Sequence, residues 1–113
     1  MKPRKLNIKT IPAPTEELVN RNYRFWRDVF DLLQDGNGGD RHLIVDHATI
    51  DFMLGDVRDD LELLVRDHIG ELQAHLRNHF VPVVSEAEER FGNKVALRIQ
   101  DPAGNIITIE ANK

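Results

Sequence analysis

The sequence predicts an α+β domain made of two similar halves, and three observations carry that prediction. Apolar residues recur at helical spacing in two separate stretches, from Leu18 to Leu32 and from Ile69 to Phe80. Around them, short segments alternate apolar and polar residues as half-buried strands do. The elements run strand, helix, strands, and then strand, helix, strands again, a quasi-repeat whose two sheets should meet over a shared concavity.

Each element has its own local reason. Leu6, Ile8 and Thr10 alternate with Asn7, Lys9 and Ile11 until Pro12 and Pro14 end the first strand. Thr15 can cap a helix, with Glu16 and Glu17 at its positive end. The stripe Leu18, Phe25, Val29 and Leu32, widened by Trp26, Phe30 and Leu33, carries that helix to about Leu33. The run Asp35-Gly36-Asn37-Gly38-Gly39-Asp40 then reads as a flexible loop. Strands follow at Arg41–Val45 and Thr49–Leu54, with Asp46-His47 at the bend between them. Gly55 to Asp60 is a connection, and Leu61 to Val65 is apolar enough for a buried strand.

The second half repeats the plan. Asp67 or His68 opens a helix whose Ile69, Leu72, Leu76 and Phe80 form one face. Val81 to Val84 reads as a strand, Glu86 to Gly92 as a charged bend, and Val95, Leu97 and Ile99 as a strand facing one way. Asp101-Pro102-Ala103-Gly104-Asn105 has strong turn chemistry, because Pro fixes φ while Gly and Asn tolerate positive φ. Ile107 and Ile109 share one face of the last strand, opposite Thr108 and Glu110. The first half lacks a strand between Leu54 and Leu61, so its side of the concavity is expected to be less closed.

Composition narrows the function. The 113 residues suffice for one compact domain and are too few for two. Hydrophobic residues at 41% and charged residues at 30% are an ordinary globular balance, which argues against disorder. The absence of cysteine excludes disulfides, thiolate nucleophiles and Cys-ligated metals. A net charge of -4 argues against sequence-independent nucleic-acid binding. No apolar run approaches the roughly 20 residues of a membrane span. The basic start Met1-Lys2-Pro3-Arg4-Lys5 is followed by a polar strand and not by an apolar core, so the cytoplasm is the expected compartment.

No Ser-His-Asp set, phosphate-binding loop or dinucleotide fingerprint is present, and the Asp35–Asp40 run lacks the spacing and closing Glu of a Ca²⁺ loop. His42 and His47 read as surface residues. His75 and His79 are spaced to chelate, but no Glu lies between them and they sit off the helix stripe, which favours a solvated face. Trp26 reads as core, with a pocket wall as the alternative. Asp51 and Asp56 lie on or near a strand that can face the concavity. Glu86, Glu88, Glu89 and Arg90 read as a solvated bend, with an acidic rim for a cationic ligand as the alternative.

Three segments in order then carry a resemblance. Phe25-Trp26-Arg27-Asp28-Val29-Phe30-Asp31-Leu32 looks like an "FYRDVLGL" helix end. Leu63-Leu64-Val65-Arg66-Asp67 with Leu72 to Phe80 looks like the strand and helix opening a second module. Asp101-Pro102-Ala103-Gly104-Asn105-Ile106-Ile107 looks like a "DPxGNxI" hairpin. In these residues the chain resembles the vicinal-oxygen-chelate superfamily, which includes glyoxalase, bleomycin-resistance proteins, fosfomycin-resistance thiol transferases and extradiol dioxygenases.

The resemblance implies one domain over 1–113, with two βαβββ modules at about 5–56 and about 60–112 forming a curved mixed sheet around a cup, helices outside. It also implies divalent-metal ligands from strands of both modules in the family's metalloenzymes. The first-strand His position falls on Asn7, seven before Pro14, and its counterpart on Asp60, seven before Asp67. The last-strand Glu position, seven after Asp101, falls on Thr108, and Glu110 shares its face. Asn7, Asp60 and Thr108 suit a divalent cation poorly. The implied function is therefore small-molecule binding in the cup without a metal or other cofactor, through Asn7, Asp60, Thr108, Glu110, Asp51 and Trp26. The alternative is a divalent-metal-dependent lyase, isomerase or thiol transferase of glyoxalase type, with Mn, Ni or Zn held by Asp60 and Glu110. The expected partners are a small-molecule ligand and a second copy as a homodimer, with neither nucleic acid nor membrane.

Overall fold

Alternation along the chain becomes two mixed sheets in the computed structural model, which describes residues 1–34 and 41–113. The loop expected at Asp35–Asp40 lies outside the described residues. The elements are β1 (Pro3–Leu6), β2 (Thr10–Ala13), α1 (Glu16–Val29), β3 (Leu33–Gln34), β4 (His42–Val45), β5 (Ala48–Leu54), β6 (Leu61–His68), α2 (Ile69–Asn78), β7 (Val83–Arg90), β8 (Lys94–Gln100) and β9 (Ile106–Asn112). One sheet has the order β2-β5-β4-β3 and the other β1-β6-β9-β8-β7.

The quasi-repeat is explicit in those orders. In each module the first strand pairs in parallel with the last, β2 with β5 and β6 with β9. The remaining strands follow antiparallel. β1 is the exception, since it joins the other module's sheet by pairing antiparallel with β6. The expected lack of a strand in the first module is corrected: β2, β3, β4 and β5 match the four strands β6 to β9 of the second, with β3 directly after α1, and the 55–60 segment is an irregular connection.

Helix α1 begins where Thr15 accepts from the Leu18 amide at 3.2 Å. It ends at Val29, short of Leu33, because Asp31 turns into the left-handed region at φ 53°. Helix α1 packs across β2 and β5, and α2 across β6 and β9. The buried faces of the strands, such as Leu61, Leu63 and Val65 on β6 or Ile107 and Ile109 on β9, pack with Trp26, Phe30, Leu72 and Leu76 into one core. The expected charged bend at Glu86–Gly92 is corrected. Glu86 to Arg90 continue β7, because an edge strand exposed on both faces accepts charge at every position.

The Asp101–Asn105 turn does more than reverse the chain. The Asp101 carboxylate is buried and accepts four hydrogen bonds: from the Ala103 amide (3.0 Å), the Asn105 amide (2.9 Å), the Asn105 side chain (2.9 Å) and the Trp26 indole (3.0 Å). The Asn105 carboxamide also donates to the Pro12 carbonyl and accepts from the Arg58 amide, both at 2.8 Å. One turn thus ties α1, β2 and the connection between modules to the second sheet.

Asn22 is the opposite case. It is fully buried on the inner face of α1, and neither its amide nitrogen nor its oxygen finds a partner among the described residues. Substituting Asn22→Leu, close in volume and with no polar atom to satisfy, is expected to stabilise the fold by roughly 1–2 kcal/mol, seen as a higher urea midpoint at unchanged slope. Substituting Asp101→Asn places a donor against donors in the four-bond hub. It should cost roughly 3 kcal/mol and red-shift the emission of Trp26 on loss of its shielded environment.

Candidate functional site

The candidate site lies on the face of the five-stranded sheet away from the helices. Residues Glu62 and Leu64 of β6, Thr108 and Glu110 of β9, and Arg98 of β8 alternate with buried neighbours and so share that face. Register aligns Glu62 with Thr108 and Thr108 with Arg98 in one row, and Lys5, Leu64 and Glu110 in the next. A recess of about 190 Å³ is lined by Lys5, Glu62, Leu64, Thr108 and Glu110 together with Asn7 and Arg90. A wider mouth, sharing Asn7, Glu62, Arg90 and Thr108, extends past Asp59, Asp60, Arg98 and Ile106.

Lys5 belongs to one edge strand of this sheet and Arg90 to the other, yet both line the same recess. A flat five-stranded sheet would hold its edges about 19 Å apart, at roughly 4.8 Å per strand. The sheet must therefore curl on itself, and the cup is a half-barrel built mainly from one module.

Asn7 sits where the first strand changes sheets. Its amide still bonds the Glu62 carbonyl (3.1 Å), whereas two residues later the Lys9 carbonyl already accepts from Asp51 of the other sheet (2.8 Å). The Asn7 side chain imitates a strand across this gap, donating to the Asp60 carbonyl and accepting from the Glu62 amide, both at 2.8 Å. Asp60 is exposed at the mouth and held by both arms of the Arg58 guanidinium (2.8 and 2.7 Å). That pairing holds its carboxyl below the usual aspartate range. The Thr108 hydroxyl accepts from Arg98 Nε at 3.3 Å.

The other two residues singled out from the sequence lie outside this recess. Trp26 is core, as its spacing suggests, and not the pocket wall of the alternative and of the implied ligand set: it is 0% exposed, edge-on to Phe30 at 4.8 Å, with its indole spent on Asp101. Asp51 lies on the first sheet and pairs with His42 across the strands at 2.9 Å. His75 is likewise corrected from solvated to half-buried, bonding the Val29 carbonyl and lying 3.6 Å from Asp31.

These donors do not fit a divalent ion. The Asn7 carboxamide is neutral and held by a main-chain bond at each end, Asp60 is neutralised by Arg58, and Asp60 and Glu110 line different parts of the cup. Among the described residues no group of three His, Cys, Asp or Glu side chains is placed to hold a metal.

Three lining residues, Lys5, Glu62 and Arg98, had escaped notice as site residues in the sequence, and Arg90 stood out only as part of a charged bend or rim. Arg98 was findable: it and Thr108 stand equally far from Ala103, so hairpin pairing alone places them opposite. Lys5 and Arg90 were not, because their meeting depends on the curl of the sheet and on β1 crossing to the second module.

No family model matches the chain, and no curated protein matches it by sequence. Solved structures do match. A lactoylglutathione lyase from Agrobacterium tumefaciens superposes with a TM-score of 0.65 at 16% identity, covering 92% of each chain. A glyoxalase/bleomycin resistance protein/dioxygenase superfamily member from Sphaerobacter thermophilus gives 0.64 at 18% identity, covering 91% of this chain and 93% of its own. The fosfomycin resistance protein FosX from Listeria monocytogenes gives 0.68 at 12% identity, covering 92% and 89%. The chain has the fold these proteins share.

Two measurements check the site's construction. Asn7→Ala should cost roughly 1–2 kcal/mol and speed amide exchange at Glu62, which loses its acceptor. In a carboxyl titration Asp60 should have its midpoint below that of an unpaired aspartate, and Arg58→Gln should raise it. The sign follows from the depressed folded-state value: the ion pair's stabilisation is present above the unfolded-state value and fades as pH falls through the folded one.

Proposed function

We propose that the chain binds a small polar molecule in the half-barrel cup without a metal ion, and that two copies pair to close the cup. The observation that carries this reading is the use of Asn7. At the sheet crossing, where the family resemblance puts a metal-ligating His, both ends of the side chain are bonded to main chain, at Asp60 just before β6 and at Glu62 within it. Asp60 and Thr108, the other two positions, are engaged by Arg58 and Arg98. What remains for a ligand is a recess whose floor combines Leu64 with charged and hydroxyl groups, the mixed lining from which small-molecule sites draw both contact area and orientation. Its volume lies below the roughly 300–1,000 Å³ of sites for drug-sized ligands, which favours a small occupant. The neighbours' names speak of lyase and fosfomycin-resistance activities. Metal-assisted chemistry of the glyoxalase kind is disfavoured here by the same donor set.

The homodimer is supported by what the chain leaves bare. Met53 and Leu54 at the end of β5 are more than half exposed, and the long edge strand β7 is uncovered among the described residues.

Thermal melts should show no rise with Mn²⁺, Ni²⁺ or Zn²⁺ and no fall with chelator, and elemental analysis of gently purified protein should find no stoichiometric metal. A stoichiometric metal that raises the melting temperature would overturn the metal-free reading. Light scattering should give a mass of twice 13.0 kDa, and a single-chain mass at micromolar concentration would remove the pairing.

A further inference from the structure

Resting on the reading of the half-barrel as a small-molecule cup, we infer that its ligand is dipolar. It would carry an oxyanion group at one end and a cationic amine at the other. Beside Asp59 and Asp60 at the outer mouth, where Arg58 holds Asp60, five charged side chains line the recess and its mouth: Lys5, Arg90 and Arg98 are cationic, and Glu62 and Glu110 are anionic. They lie close enough to neutralise one another. Arg98 stands directly across from Thr108, one row diagonal from Glu110, and two strands from Glu62 in its own row. Diagonal neighbours on one sheet face are roughly 7–8 Å apart and within reach of long side chains.

No ion pair forms from any of the five among the described residues. Elsewhere on the surface the same chain pairs charges readily, as in Arg21–Glu17, Arg27–Asp28 and Lys113–Glu89.

The unpaired arrangement discriminates between ligand charges. A simple anion drawn to Arg90 and Arg98 would leave Glu62 and Glu110 unpaired and partly desolvated beneath it, which is costly for a carboxylate. A simple cation meeting those glutamates would do the same to the arginines and Lys5. Only a molecule bearing both signs satisfies both sets at once. Arg98 is prepared for the anionic end. Its Nε is fixed on the Thr108 hydroxyl, leaving the two terminal nitrogens of the fork free to meet a carboxylate or phosphoryl group.

A ladder of ω-amino acids serves as a ruler for the charge separation. Glycine, β-alanine, 4-aminobutyrate and 6-aminohexanoate are titrated by calorimetry into the full chain at low salt, beside hexanoate and hexylammonium. One member of the ladder should bind about tenfold tighter than either monopolar compound. Arg98→Gln should remove that preference over hexylammonium, and Glu110→Gln the preference over hexanoate. Unchanged Trp26 emission would show that each variant is folded. Hexanoate or hexylammonium binding as tightly as every ladder member would overturn the dipolar inference while keeping the cup as a small-molecule site. No saturable binding by any of the six at millimolar concentration would overturn it too. Metal-dependent melting in that same protein would also overturn the reading beneath it.

Discussion

The buried carboxylate of Asp101 is the constraint on which the two-module arrangement depends. A carboxylate in a core is expensive unless every acceptor position is used, and here four donors converge on it. Three of the donors are local to the turn, and the fourth, the Trp26 indole, and the further bonds of Asn105 reach far along the chain. Trp26 belongs to the outer helix of the first module, and Asn105 carries the connection on to Pro12 of β2 and Arg58 of the linker. Because the penalty for leaving Asp101 unsatisfied is large and local, the relative placement of both modules is set by a single turn. Hydrophobic contact alone, which is non-directional, would permit sliding between them.

That fixed placement determines the cup. With β2 anchored through Pro12 to the turn, the preceding residues must leave the first sheet and reach β6, and Asn7 covers the step by imitating main chain. β1 then extends the second sheet by one strand on the side opposite β7. The curl that brings Lys5 and Arg90 to one recess thus includes a strand borrowed from the first module.

Much of the fold was readable from residue spacing, and less of the site. Ile107 and Ile109 alternate strictly and are buried, and Ile69, Leu72 and Leu76 form the inner edge of α2, whereas Phe80, expected on the same face, lies past the helix end at φ 57° and is exposed. These are one-element properties, and period alone reveals them. Glu86–Arg90 failed as a bend because charge density signals exposure, and an edge strand is exposed without being irregular. Trp26 and Asp51 failed as cup residues for a different reason. Each lies in an element of the first module, while the recess is built almost wholly on the second. Their distance from Thr108 is a matter of how two sheets join, which no local pattern encodes.

The same reasoning separates the likeness of fold from the chemistry of the cup. A strand that changes sheets leaves a gap in main-chain pairing, and something must fill it. A free imidazole there would be available to a ligand but would leave the Asp60 carbonyl and Glu62 amide to water. A carboxamide, offering an N–H donor and a carbonyl acceptor at the spacing of a peptide group, closes the ladder and is fixed in orientation by doing so. At this position the side chain either repairs the sheet or serves the cup. Asn7 repairs the sheet, and polar recognition therefore passes to side chains one strand position away: Lys5 on β1, Glu62 on β6 and, across the sheet, Arg98 on β8.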